Sequence, residues 1–236
     1  MNKLSYVFLI LISLASCSPK WQPLFDGNSL DGWISVDGGT IPANIWNVTK
    51  DGTIVSHPDS TDALLLTNFS SEKGAMDIIT KDEYTNFKLK VSFRMIEGSN
   101  GGIKYFINPG TFSSPSIGFE YQVIDDENYS VSHPAINNVQ TTASLYDLLS
   151  SNKMNANFHP YEWNDAMIVV DGGKVEHWLN GVKVLEIDRL STSFDLLVKN
   201  SKFRKEQGFG KLEGGHILLQ DHGNKVYYRN IMIQRF

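Results

Sequence analysis

The sequence predicts an all-β protein, a two-sheet antiparallel sandwich, and three observations lead to that expectation. Apolar and polar residues alternate with period two in several segments rich in β-branched and aromatic side chains. Gly, Asn and Asp separate those segments at intervals of about ten residues, the spacing of short sandwich strands. From Trp21 onward no segment sustains the 3.6-residue repeat of an amphipathic helix.

Phe87–Met95 (FKLKVSFRM) sets Phe87, Leu89, Val91, Phe93 and Met95 on one face and Lys88, Lys90, Ser92 and Arg94 on the other, because successive side chains of a strand point to opposite faces. Ile117–Val123 repeats the pattern, with Phe119, Tyr121 and Val123 against Gly118, Glu120 and Gln122. Met167–Val170, Val175–Leu179 and Val182–Ile187 follow, punctuated by Asp171-Gly172-Gly173 and by Asn180-Gly181. An Asn-Gly pair between strands predicts a type I′ hairpin, since both central residues need positive φ. Ile217–Leu219 and Val226–Ile233 complete the strand set. Thr142–Leu149 is the one segment expected to be helical. Lys199–Lys211, with five basic residues against Glu206 alone, is expected to form a rim loop. No Pro/Ser-rich linker or internal repeat divides residues 21–236, which read as a single β-sandwich domain.

A chain of 236 residues with 41% hydrophobic and 20% charged residues has enough apolar side chains for a core, which excludes global disorder. Its net charge of −5 argues against nucleic acid as a partner, because such binders need a basic face. The single cysteine excludes an intrachain disulfide and a thiolate metal cluster. Its position is more informative. Tyr6–Leu14 (YVFLILISL) is an uncharged apolar run, shorter than the roughly 20 residues a membrane-spanning helix needs. It fits the apolar region of a secretory signal. Leu14-Ala15-Ser16-Cys17 at its end resembles a bacterial lipobox. Residues 1–16 are therefore expected to be a lipoprotein signal peptide, Cys17 the lipidated residue and residues 17–20 a short tether. Ser18 in place of Asp favours the outer membrane. The expected location is the cell envelope, facing the periplasm and touching the membrane through the lipid anchor only.

Seven segments carry a resemblance: WQPLFDGNSLDGW (Trp21–Trp33), SNGGIKYF (Ser99–Phe106), FEYQVIDDENY (Phe119–Tyr129), TASLYDL (Thr142–Leu148), EWN (Glu162–Asn164), VEHWLNGVKVLE (Val175–Glu186) and GGHILLQDHGNKVYYRNI (Gly214–Ile231). In that order, over roughly residues 21–236, they resemble the 3-keto-disaccharide hydrolase family. The resemblance implies a concanavalin A/laminin G-like jelly roll that acts on glycosides whose C3 hydroxyl has been oxidised to a ketone. A ketone at C3 acidifies the hydrogen on C2, so a positioned base can form an enolate. The C1 substituent, β to the carbonyl, then leaves, and water addition completes a net hydrolysis; direct hydrolysis stays open. No glycine-rich nucleotide motif precedes a helix, so no cofactor is expected and a separate sugar 3-dehydrogenase has to install the ketone.

Such a site needs a base, a donor at the enolate oxygen and an acid for the leaving oxygen. The catalytic candidates are Glu120, His177 and His222. The substrate-binding candidates are Arg94, Lys104, Gln122, Asp125, Tyr146, Trp178 and Gln220. Glu120, Gln122 and Arg94 are expected on the outer face of one sheet, with Lys104 nearby. The Asn180-Gly181 turn pairs His177 with Val184 but leaves its face undecided, core or substrate. Alternation sends Gln220 and His222 to one face and Asp221 to the other. No HxH, HExxH or Cys/His spacing occurs, so no obligatory metal is expected; Asp125-Asp126-Glu127-Asn128 offers oxygens for Ca²⁺ without EF-hand spacing. The alternative function is a non-catalytic, lectin-like carbohydrate-binding lipoprotein. The two readings differ on whether Glu120 and a histidine share one groove.

Overall fold

The computed structural model describes residues 19–57, 76–129 and 136–236. Residues 1–18, with the expected signal peptide and Cys17, lie outside the described residues. In chain order the strands are β1 (Gln22–Pro23), β2 (Trp33–Ser35), β3 (Trp46–Val48), β4 (Ile54–Ser56), β5 (Ile78–Thr80), β6 (Phe87–Met95), β7 (Asn100–Ile107), β8 (Phe119–Ile124), β9 (Asn164–Asp171), β10 (Lys174–Leu179), β11 (Val182–Asp188), β12 (His216–Gln220) and β13 (Val226–Arg235). The helix α1 (Thr192–Asn200) follows β11.

The strands form two antiparallel sheets, the sandwich expected. The larger has eight strands in the order β11-β10-β9-β6-β13-β4-β3, with β1 also paired to β13; the smaller has the order β2-β5-β12-β7-β8. Phe87, Leu89, Val91 and Phe93 of β6 point inward, where Ile103, Tyr105, Phe119, Tyr121 and Leu219 of the smaller sheet meet them. Edge-on ring pairs join the layers, Phe87 to Tyr105 at 6.2 Å and Phe93 to Tyr121 at 6.3 Å. Burying each such ring contributes about 2 kcal/mol, which is why strict alternation in β6 and β8 sets the register.

Three local expectations are corrected. Thr142–Leu149 is not helical. It runs beside β8 as an irregular edge, with Ala143 N–H donating to the Gln122 carbonyl at 2.9 Å and Tyr146 N–H to the Glu120 carbonyl at 3.0 Å. Positive φ at Ala143 (66°) and Asp147 (62°) breaks any helical path. The helix lies instead at Thr192–Asn200, capped by Ser191, whose hydroxyl accepts from Phe194 N–H at 3.2 Å. The expected rim loop therefore begins in α1 and continues as a 3₁₀ turn at Lys202–Lys205. The β10–β11 hairpin forms as expected, Asn180 at φ 48° and Gly181 at φ 80°. A bulge, however, pairs His177 with Leu185 and not with Val184.

Candidate active site

The outer face of the smaller sheet lines a cleft of about 490 Å³. Its floor is the pairing of β7 with β8, which sets Lys104 opposite Glu120 and Gly102 opposite Gln122. Lys104 Nζ lies 3.4 Å from Glu120 Oε2 and donates to the Ser116 carbonyl at 3.3 Å. Lys104 and Glu120 are only 8% and 6% exposed, so the cleft keeps an ion pair under protein cover. Gln122 donates to Asn100 Oδ1 at 3.0 Å, while its own Oε1, like that of Gln220, is buried without a partner.

Gly102 makes room for this polar cluster. A Cβ there would stand 2.9 Å from Gln220 Oε1 and 3.0 Å from Glu120 Oε1. The strand therefore has a gap where the side chains of Glu120 from β8 and Gln220 from β12 converge.

One wall is built by the ends of strands from both sheets. His57, beyond β4 and at φ 51°, places Nε2 2.6 Å from Asp221 Oδ1. The Asp221 N–H donates to Asp77 Oδ1 at 2.7 Å. Asp77, just before β5, is 2% exposed; burial pushes its carboxyl up to about 6, against the pull of the Lys104 charge. His222 stands at the mouth, where the surrounding protein lowers its pKa below the ordinary histidine value. On the far side, burial and the nearby Glu120 push the Tyr146 phenol up to about 12. Lys202 Nζ sits 4.0 Å over the Tyr146 ring. The cleft continues past Lys104 and Lys202 into a second recess of about 290 Å³ that reaches Phe203 and Glu206.

The structure thus brings together Glu120, His222, Lys104, Gln122, Tyr146 and Gln220. Asp221 lines the same cleft as Gln220 and His222, because β12 stops at Gln220 and alternation ends there.

The other candidates lie elsewhere. His177 is 0% exposed between the sheets. Its Nδ1–H donates to the Ala143 carbonyl and its Nε2 accepts from Tyr105 O–H, both at 2.9 Å. Burial holds its pKa down to about 4, so it is a neutral core residue and not a proton carrier for the cleft. Arg94 and Trp178 face outward from the larger sheet: Arg94 packs on Tyr227, and the Trp178 indole donates to Glu176. Asp125 accepts from Gly98 N–H at 2.9 Å and from the Tyr161 hydroxyl at 2.9 Å, so it organises a loop. Asp126 accepts from Thr142 N–H and pairs with Lys153, so these acidic residues already serve protein partners. Among the described residues no group of three or more metal-capable side chains converges. Asp77, His57, Asn100, Ser116 and Lys202 were not among the sequence candidates. They come from distant strand ends and loops, and no local motif marks their convergence.

A family model described as a 3-keto-alpha-glucoside-1,2-lyase-like domain matches residues 20–234. The chain belongs to that family. Three further similarities stand beside membership of the 3-keto-alpha-glucoside-1,2-lyase-like family. A protein of Bacteroides thetaiotaomicron named 3-keto-disaccharide hydrolase is 28% identical over 236 residues, 89% of this chain and 77% of its own length. The crystal structure of a Parabacteroides distasonis protein assigned as a glycosyl hydrolase is 28% identical and superimposes with a TM-score of 0.77, covering 92% of this chain and 94% of that one. A second Parabacteroides distasonis structure, 24% identical with a TM-score of 0.66, shares the fold over 92% of this chain and all of its own.

Proposed function

We propose that this protein cleaves the glycosidic bond of 3-keto-glycosides or 3-keto-disaccharides by elimination and hydration. The observation that carries the proposal is the Lys104–Glu120 pair, 3.4 Å apart on the floor of the cleft, in a chain of the 3-keto-alpha-glucoside-1,2-lyase-like family. Glu120 takes the C2 proton, and the C2–H electrons move into an enolate whose oxygen faces the Lys104 ammonium. The enolate collapses as the C1–O bond breaks, and His222 in its imidazolium form gives a proton to the departing oxygen and becomes neutral. Water then adds across the C1–C2 double bond and restores a free 3-keto sugar. Gln122 and Gln220, each with a buried unpartnered carbonyl oxygen, accept from sugar hydroxyls. The recess between Lys202 and Phe203 receives the leaving group.

This route does not need the two flanking carboxylates of an oxocarbenium mechanism. A carbohydrate-binding role alone leaves a buried ammonium–carboxylate pair without purpose, whereas Glu120 and His222 on one cleft are what proton transfer requires. The substrate implies a separate sugar 3-dehydrogenase acting first. Lipidation of Cys17, with the protein at the outer membrane facing the periplasm, belongs to the same proposal and is supported by the lipobox-like Leu14–Cys17.

The test is incubation with a 3-keto-glucoside in D₂O. Aglycone release with deuterium at C2 is the expected result. Release without deuterium would replace elimination by direct hydrolysis, and no release from any 3-keto-glycoside would remove the enzymatic reading.

A further inference from the structure

The outer face of the larger sheet, opposite the cleft, combines cations and aromatic rings in an unusual way. Lys88, Lys90 and Arg94 alternate along its central strand β6, and Arg229 stands beside them on β13. Among the described residues none of these four has an acidic partner at ion-pair distance. The buried Nε atoms of both arginines lack hydrogen-bond partners.

The cations lie over aromatic rings instead. Lys90 is 4.4 Å from the Trp21 ring, Arg94 4.4 Å from Tyr227, and Arg229 3.8 Å from Trp163. Trp178, farther along the face, has Lys183 at 5.9 Å. Three of the chain's five tryptophans, Trp21, Trp163 and Trp178, therefore belong to this face. The other two, Trp33 and Trp46, are core residues. The face also carries acidic residues: Asp165 accepts from the Ser92 hydroxyl beside Arg94, Asp171 and Asp188 lie in register with Lys174 at the far end, and Glu176 and Glu186 there pair with Lys174 and Lys183.

The N-terminal segment reaches the same sheet. β1 pairs with β13, and the Gln234 side chain donates to the Pro19 carbonyl. In the sequence Cys17 precedes Pro19 by two residues, so a lipid on it would tether this end of the larger sheet.

We propose that this face rests on the anionic surface of the bilayer in which Cys17 is anchored, so that the cleft on the other sheet opens away from the membrane. Arg94 and Arg229 bind headgroup phosphates, and Trp21, Trp163 and Tyr227 sit at the interface, where aromatic rings with one wet edge are favoured. The proposal rests on Cys17 carrying lipid and not on the reaction in the cleft.

The test uses the full lipidated chain in phosphatidylethanolamine–phosphatidylglycerol vesicles containing lipid brominated near the glycerol backbone. Trp33 and Trp46 are shielded in the core, so quenching of tryptophan emission reports on the outer face. Strong quenching is expected. It should fall in high salt and in phosphatidylcholine vesicles, and docking should weaken about fivefold for each arginine neutralised in R94Q/R229Q. The salt series needs no substitution, so it stands even if that variant folds poorly. Emission unchanged by brominated lipid, with the lipid on Cys17 verified by mass, overturns the proposal. So does quenching insensitive to salt and lipid charge, or the absence of lipid on Cys17. Docking on a sulfated polysaccharide in preference to the vesicles would give the face to acidic glycans instead. Cleavage of a soluble 3-keto-glucoside, assayed on the same preparation, separates failure of the membrane face from failure of the catalytic reading.

Discussion

Glu120 and Lys104 depend on each other. With both nearly covered, deleting one leaves the other charged and buried, a change that costs on the order of 3 kcal/mol or more. Glu120→Gln keeps the shape and removes the base. Its kcat/KM on a 3-keto-glucoside is expected to fall by about 10² to 10⁴-fold. A rate near that of the wild type, with folding verified by circular dichroism, would take Glu120 out of the chemistry. Asp77 supplies a pH handle. With its pKa raised to about 6, it is protonated as pH falls through that value, and the charge facing Lys104 is lost. Activity is expected to decline on that acid limb, and Asp77→Asn to abolish the inflection; a pH–rate profile unchanged in the variant would separate Asp77 from the reaction. Glu120, Gln122 and Lys104 were legible in the sequence, because alternation with apolar neighbours marks a polar strand face. Asp77 and His57 were not, because one sits just before a short buried strand and the other just after one, and each acquires meaning only through Asp221.

At the scale of elements, the cleft depends on a strand that sequence pattern alone did not reveal. β7 begins Asn100-Gly101-Gly102, and adjacent glycines weaken strand propensity. Both have a packing reason: a Cβ at Gly101 would meet the Tyr228 hydroxyl at 2.9 Å, and one at Gly102 would meet the ends of Gln220 and Glu120. Gly102→Ala is expected to lower kcat/KM by about tenfold to a hundredfold through displacement of those side chains. Flexible side-chain ends can yield, so the melting temperature should change little. A large loss of stability with normal turnover in the folded fraction would contradict this account. The misplaced helix has a related cause. Thr142–Leu149 has helical composition, but Leu145 and Leu148 are buried and the backbone answers β8. Tertiary pairing overrode local preference there, whereas Ser191 gave α1 a local cap that favours its start.

At the scale of the whole molecule, the two sheets are joined by a buried histidine as well as by apolar packing. His177 titrates near 6.5 when unfolded and only near about 4 in the core. Its folded pKa is depressed, so its contribution to stability is complete above about 6.5 and is lost as pH falls toward about 4. Between about pH 7 and pH 5 the wild type should lose about 2 kcal/mol from this group. Urea unfolding at the two pH values, compared with His177→Phe, is the check: an equal loss in both proteins would mean that His177 does not set the acid sensitivity. The bulge beside His177 shifts the pairing from Val184 to Leu185, and no residue pattern in the hairpin announces it. For this reason the face of His177 stayed undecided until the sheets were seen packed together.

The sequence by itself determined the sandwich, the long central strand, the β10–β11 turn and the polar face of β8. These follow from period-two alternation and from the positive φ that Asn-Gly tolerates, both properties of neighbouring residues. Only the tertiary structure decided which polar residues meet. It sent Arg94 and Trp178 to the opposite sheet and His177 to the core, and it drew His57, Asp77 and Asp221 to one wall. Residues far apart in the chain converge only when the register and the stacking of both sheets are set, and that arrangement is a property of the packed core.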